Sequence, residues 1–113
     1  MEKDMIFATI RMTIPPQKHG EALKVLRSMA ELCRDYPGCL RAHIYGDLQE
    51  KNVLMLEEVW RAEEDLDLHI RSEEYRNLLL VLEMGVKQPE IRFETISSST
   101  GIETIQEARS RAR

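Results

Sequence analysis

The sequence is short of aromatic side chains, with one Trp, two Phe and three Tyr among its 113 residues. It has no excess of positive charge either, because its formal net charge is −4 at pH 7. A surface that binds nucleic acid needs basic residues, and an RNA-binding sheet also needs aromatic residues on its central strands. The segment "NVLMLEEV" offers neither. These shortages argue against nucleic acid as a partner and against an RNA-binding module.

Cysteines and long apolar runs are also scarce. The two cysteines, Cys33 and Cys39, form no CxxC motif and have no Cys/His cluster around them in the sequence. This pattern predicts buried structural thiols and no metal site. The beginning "MEKDMIF" contains two acids and no apolar run of signal-peptide length, and no later stretch approaches a membrane span. We therefore expect a cytoplasmic protein without a membrane partner.

The patterns that are present predict an α+β domain. Alternation of apolar and polar residues indicates four strands, in "MIFATIRMTI", "CLRAHIYGDL", "VLMLEEVW" and "EIRFETI". Apolar residues at helical spacing predict helices at about 17–35, 62–70 and 73–84, and Ser72 is placed to cap the last of these. The order β-α-β-β-α-β, with the second helical segment in two parts, is that of the ferredoxin-like fold.

The two faces of the predicted sheet are expected to pack against different partners. The helices should pack on the face lined by Ile6, Ile10, Leu40 and Ile44. The opposite face carries a half-apolar set, namely Met5, Phe7, His43, Tyr45 and Met55. An open apolar face of this kind is more often an interface than a solvated surface. The sequence therefore predicts a homodimer in which two four-stranded antiparallel sheets pair face to face.

The end of the chain is predicted to be an appendage. Residues 1–96 form the domain, and "SSST" at 97–100 is a linker. Thr100 and Glu103 have the spacing of a capping box, which predicts a helix over 101–112. Its apolar stripe is thin, so we expect 97–113 to be a linker and a helical tail.

Three short motifs resemble those of the antibiotic-biosynthesis-monooxygenase-like proteins. They are "YPGCL" between the first helix and the second strand, "EEVW" at the end of the third strand, and the spacing of Trp60 and His69. The resemblance covers about Met5 to Ile96. It implies a dimeric α+β barrel of two ferredoxin-like protomers, each with a ligand cavity between its sheet and its helices.

The characterised members of that family include cofactor-free oxygenases of quinols and polycyclic phenols, and haem-degrading enzymes. The pocket of the haem-degrading branch needs an asparagine, a tryptophan and a ligating histidine. This chain has Ile10, His69 and Leu79 at the matching positions. Haem degradation is therefore disfavoured, and the resemblance favours a monooxygenase without a cofactor, acting on a quinol or another aromatic phenol and on dioxygen.

Such a reaction needs an apolar cavity, a base and a group that steadies the substrate anion. His69 is the candidate catalytic base, because its side chain titrates near neutral pH. The candidate substrate-binding residues are Trp60, Tyr75, Ile10, Met12, Phe93 and Arg92. The helical spacing places His69 three residues after Leu66, so its ring is expected at the rim of the space between sheet and helices.

Other readings of these residues stay open. His69 could hold a helix turn through a backbone carbonyl, and Trp60 could serve only the core. A dimer of the same fold could bind a ligand or act in stress without catalysis. The sequence does not decide between such a non-catalytic dimer and an enzyme, because no group of polar residues in it specifies a substrate.

Overall fold

The computed structural model describes residues 4–111, which contain four strands and four α-helices. Their bounds are β1 Met5–Thr13, α1 His19–Asp35, β2 Cys39–Gly46, β3 Val53–Trp60, α2 Glu63–Ile70, α3 Tyr75–Glu83, β4 Glu90–Ile96 and α4 Ile102–Arg111. A single 3-10 turn, Pro16–Lys18, leads into α1. None of the helices in this part of the chain is long and apolar enough to cross a membrane.

The strands form one antiparallel sheet in the order β2-β3-β1-β4. The strands β1 and β3 lie at its centre, where Ile10 faces Leu56 in register. Two consecutive strands thus form a hairpin at one side, and the first and last strands pair at the other. This arrangement confirms the predicted ferredoxin-like α+β fold.

The core lies between one face of the sheet and the helices. Along β1 each second residue is buried, and Ile6, Ile10 and Met12 are among the buried residues. From α1 the residues Leu26 and Met29 pack into the same cluster, as their helical spacing predicted. Burial of these side chains supplies most of the stabilisation of such a layer, at about 25 cal/mol for each Å² of apolar surface.

The predicted position of Leu40 on this face is wrong. Leu40 is 54% exposed, because the register of β2 shifts between Cys39 and Arg41. The bulge leaves Leu40 unpaired, while Ala42 and Ile44 beyond it return to the alternation. The helix-side face of β2 therefore begins with Cys39 and continues with Ala42.

Gly38 shapes the turn between α1 and β2. Its φ is +86°, and a Cβ at this position would collide with the side chain of Asp65 in α2. The Gly38 carbonyl also accepts a hydrogen bond from the backbone N–H of Arg61, at 2.7 Å. Glycine is required here by both conformation and space, and its contacts bring the start of α2 against the end of α1.

Ser72 does not cap α3 as predicted. Its hydroxyl donates a hydrogen bond of 2.7 Å to the backbone carbonyl of His69, at the end of α2. The helix α3 begins at Tyr75, and Glu74 precedes it without a side-chain cap. The backbone N–H of Ser72 donates to the same carbonyl at 3.1 Å, so Ser72 terminates the earlier helix.

The opposite face of the sheet carries the side chains that alternate with the core. Phe7 faces Val59, and Tyr45 faces Met55, in neighbouring strand pairs. Tyr45 is 45% exposed, and Arg41 forms an ion pair with Glu57 on the same face, with 3.1 Å between Nε and Oε1. This mixture of apolar and paired charged groups suits an interface, and the homodimer stays a prediction.

The helix α4 makes little contact with the domain. All of its described residues are exposed, including Ile102 and Ile105. The backbone N–H of Gly101 donates to Glu103 Oε1 at 2.7 Å, which gives the expected start of the helix. Its predicted last residue, Ala112, lies outside the described residues.

We expect Tyr45→Asp to weaken a homodimer that pairs through this face. An unpaired carboxylate would be buried in the interface, at a cost of about 3 kcal/mol, which raises Kd by about 100-fold. Sedimentation equilibrium at micromolar concentration measures the change. Leu48→Asp is the control, because Leu48 is 102% exposed in the loop after β2. A native chain that sediments as a monomer would contradict the prediction.

We expect a chain that ends at Ser97 to keep the stability of the domain. The described residues of the deleted segment, 98–111, are exposed in the protomer. Thermal unfolding should therefore shift by no more than a few degrees, about the effect of 1 kcal/mol. Circular dichroism at 222 nm follows the transition. If cooperative unfolding is lost, α4 belongs to the folded core of an assembly, and the assigned domain boundary is wrong.

Candidate functional site

One carboxylate, that of Glu58 in β3, is buried in the core. Glu58 lies in β3 between Leu56 and Trp60 in the period-two alternation, so its side chain points toward the helices. Only 4% of the residue is exposed. A carboxylate in such a place needs hydrogen-bond donors, because removing a charge from water is otherwise very unfavourable.

Three donors surround the Glu58 carboxylate. Trp60 Nε1 donates to Oε1 at 3.0 Å, and the Cys33 thiol donates to Oε2 at 3.0 Å. His69 Nε2 lies 3.3 Å from the same Oε2. The three partners come from β3, α1 and α2, so one carboxylate joins the sheet to two helices. We call Cys33, Glu58, Trp60 and His69 the buried cluster.

The electrostatics of the cluster follow from burial and these contacts. Burial favours the neutral form of Glu58, but the contact with His69 and the hydrogen bonds from Cys33 and Trp60 outweigh it and lower the pKa of Glu58. Burial, together with the nearby charge of Glu58, raises the pKa of the Cys33 thiol. Cys33 therefore stays protonated as a donor while Glu58 stays ionised.

His69 lies at the centre of a group of rings. Its imidazole stacks on Trp60 with 4.9 Å between ring centroids and 29° between planes. The Tyr75 ring meets it edge-on at 5.2 Å, and the Tyr36 ring is tilted at 5.4 Å. The buried residues of α2 are Leu66 and His69, which lie three positions apart on one face of the helix. The ring thus fills the space between helices and sheet.

The predicted rim position of His69 is wrong, because none of its surface is exposed. A carboxylate partner allows the imidazole to lie deeper than its position in α2 suggests. The alternative role, in which the His69 side chain bonds a backbone carbonyl, does not match the structure, because the ring nitrogens contact the side chains of Glu58 and Cys33. It is the backbone carbonyl of His69 that accepts a bond, from Ser72.

Two tyrosines pack against His69 in the buried cluster. Tyr75 is 8% exposed at the first turn of α3, and burial raises its pKa to about 12. Tyr36 is half-buried at the end of α1, and its hydroxyl donates to Glu74 Oε2 at 3.0 Å. A ligand could touch His69 only if surrounding side chains move, because none of the surface of His69 is exposed.

The six predicted substrate-binding residues lie in four places. Trp60 and Tyr75 contact His69, as described above. Ile10 and Met12 are buried in the core, with 4% and 2% exposure. Phe93 lies on the edge strand β4, facing Ala8 on the helix side, and is 47% exposed. Only the first pair is brought to the candidate base.

Arg92 lies on the other face of the sheet. It faces Thr9 in the neighbouring strand, one position along β4 from Phe93. An arginine there points toward the open face, so it does not share a pocket with Phe93 in the protomer. On that face Glu57 forms its ion pair with Arg41, at 3.1 Å.

Glu58 and the role of Cys33 were missed by sequence reasoning. A signal for Glu58 exists, because the alternation in "VLMLEEVW" places a carboxylate on the inward face between two large apolar residues. The partners are 25 and 11 residues away from it along the chain, at positions 33 and 69. No local pattern connects the three, and Cys33 read alone is a small core residue.

The chain was compared with protein families and with known proteins. The family model described as "Antibiotic biosynthesis monooxygenase" matches residues 5–79. The chain belongs to this family. The match includes every residue of the buried cluster and Tyr75, and it ends before β4.

An uncharacterised protein of Synechocystis is 30% identical over 69 residues, which are 61% of this chain and 47% of the relative. The chain thus spans about half the length of the curated relative that it matches.

Solved structures share the fold. A conserved protein of Methanosarcina mazei has 27% identity and a TM-score of 0.76, covering 81% of this chain and 92% of its own. An antibiotic biosynthesis monooxygenase has 19% identity and a TM-score of 0.73, covering 82% and 99%. Rv0793 of Mycobacterium tuberculosis has 19% identity and a TM-score of 0.77, covering 86% and 99%. At this identity the last two show the family fold alone.

We expect Glu58→Gln to lower the free energy of unfolding by about 1–3 kcal/mol, because buried donors would lose a charged acceptor and meet an amide NH2 group. Urea denaturation followed by Trp60 fluorescence measures the loss. Glu63→Gln is the matched control, because Glu63 is exposed in the first turn of α2. Equal stability of the Glu58 variant and the native chain would show that the carboxylate does not hold the layers together.

Proposed function

We propose that this protein is a cofactor-independent monooxygenase that acts on a quinol or another aromatic phenol. The observation that carries the proposal is the pair of Glu58 and His69, a carboxylate and an imidazole 3.3 Å apart within the space between sheet and helices. A base in that space, in a member of this family, is what oxidation without a cofactor requires. Membership alone supports only the family fold and the general class of reaction.

The proposed reaction balances without a cofactor. The substrate loses a proton to the base, and its anion then supplies electrons to dioxygen. One oxygen atom enters the ring as a carbonyl group, and the other leaves as water with the two hydrogens that the substrate gives up. The protein has to take up a proton, exclude water and hold the ring.

His69 Nδ1 is the proposed proton acceptor. Glu58 Oε2 is the nearest carboxylate oxygen to Nε2, so the tautomer with hydrogen on Nε2 donates to it. The lone pair is then on Nδ1, which lies 4.0 Å from Cys33 Sγ. When Nδ1 takes a proton, the ionised Glu58 stabilises the positive ring at short range.

The substrate would lie on the free side of α3. Asn77 and Glu74 line a groove together with Lys24 and Val25 of α1, so this side of α3 is turned to α1. Leu79 follows Tyr75 by one turn, so it lies on the same side of α3 as Tyr75 and on a different side from Asn77. Leu79 is 50% exposed.

On the uncovered helix side of β4, Ile91 and Phe93 are 46% and 47% exposed. We propose that these two side chains and Leu79 form an apolar bed for a flat ring beside Tyr75. Movement of the Tyr75 ring would then join this bed to His69.

The test is oxygen consumption with a panel of quinols and polycyclic phenols. His69→Gln keeps a hydrogen-bonding side chain but removes the titrating group, so turnover should fall by about 10²- to 10⁴-fold. His43→Gln is the matched control, because His43 lies on the sheet face opposite the buried cluster and Gln keeps a polar side chain in the predicted interface, so turnover should be unchanged. Full turnover in the His69 variant would make this histidine structural and end its assignment as the base.

A second candidate is a dimer that binds an aromatic ligand without catalysis. The complete burial of His69 favours it, because a base that no ligand touches does not act. The same panel separates the two functions. Saturable binding of a quinol, measured by quenching of Trp60 fluorescence, together with no oxygen uptake above the spontaneous rate would support the second candidate.

A further inference from the structure

We propose that Cys33, Glu58 and His69 form a binding site for a divalent metal ion of the Zn²⁺ class. The site goes beyond the oxygenase proposal, and it departs from the sequence analysis, in which neither cysteine suggested a metal. A thiolate, an imidazole and a carboxylate are the three side-chain ligand types that Zn²⁺ takes in proteins. The structure brings one of each together, and all three residues are buried.

The three donor atoms form a nearly equilateral triangle. Cys33 Sγ is 3.0 Å from Glu58 Oε2 and 3.2 Å from His69 Nε2. The third edge, from Nε2 to Oε2, is 3.3 Å. Tetrahedral zinc with ordinary bond lengths separates such donors by about 3.4 to 3.6 Å. Small outward movements of the side chains would therefore accommodate an ion.

Hydrogen bonds cannot link all three pairs of these donor atoms at once. His69 Nε2 either donates a hydrogen or offers a lone pair, and it cannot do both. At most two of the three edges can therefore carry a hydrogen bond, whichever way the thiol and the carboxylate are protonated. A cation has no such limit, since it attracts sulfur, nitrogen and oxygen at the same time.

Charge and orientation also suit a divalent ion. A thiolate, a carboxylate and a neutral imidazole sum to two negative charges, which a divalent cation neutralises inside the core. The thiol proton would leave to solvent as the ion binds. Trp60 Nε1 already holds the other carboxylate oxygen, Oε1, at 3.0 Å. This bond orients Glu58 so that only Oε2 faces the other two donors, as outer partners of metal ligands commonly do.

The metal site and the proposed base exclude one another. An ion on Nε2 of His69 leaves the ring hydrogen on Nδ1, the atom proposed to accept the proton of the substrate. A chain that holds the ion would therefore not act as the oxygenase. The two proposals can fail separately, because metal binding is measured without any turnover.

The test uses the full chain, purified from cells grown with added Zn²⁺ and freed of loosely bound metal with a weak chelator. Elemental analysis should find about one Zn²⁺ per chain. Co²⁺ added to the metal-free chain should give the near-ultraviolet charge-transfer band of a thiolate bound to cobalt. Both signals should fall at least tenfold in Cys33→Ser and in His69→Gln.

Cys39→Ser is the matched control, because these two cysteines are the only ones in the chain. A cobalt–thiolate band that persists in Cys39→Ser must come from Cys33, and this result holds even if the Cys33 variant does not fold. Loss of the band in Cys39→Ser would overturn the assignment. So would a native chain that retains less than about one tenth of an equivalent of Zn²⁺ and gives no band with Co²⁺.

Discussion

One ionised carboxylate in the core determines much of this structure. Glu58 is almost fully buried in β3, and it stays charged because a thiol, an indole and an imidazole are placed around it. A buried charge is tolerated only when its hydrogen-bonding positions are filled, so each partner must be held in place by its own element. The end of β3, the inner face of α1 and the inner face of α2 therefore have to meet at this point.

The backbone around the cluster meets this demand. Gly38 turns the chain from α1 into β2 with a φ of +86° and leaves room for Asp65, so that α2 can lie close to the turn. Ser72 closes α2 by donating to the carbonyl of His69. The imidazole is thus fixed by its stacking on Trp60, by its carboxylate partner and by the end of its helix. A side chain held in this way suits either a proton acceptor or a metal ligand, and both roles need a fixed lone pair.

Most of the fold could be predicted from the sequence, because its signals are local. Alternation along "MIFATIRMTI" marks a strand with one apolar face, and β1 has this pattern of burial. The family motif "YPGCL" contains the glycine that the turn requires. Local patterns failed where register mattered: the bulge beside Leu40 depends on the pairing of β2 with β3, and Ser72 served the helix before it rather than the one after it.

The sequence by itself determined the order of elements, the two-sided sheet and the family, since each rests on periodicity or on short motifs. It also pointed to His69 and Trp60. Only the tertiary structure decided what surrounds them. Residues 33, 58 and 69 meet because two helices pack on one strand, and their separation along the chain leaves no trace in any local pattern. The same packing put Phe93 and Arg92 on opposite faces of the sheet, because neighbouring residues of a strand point in opposite directions.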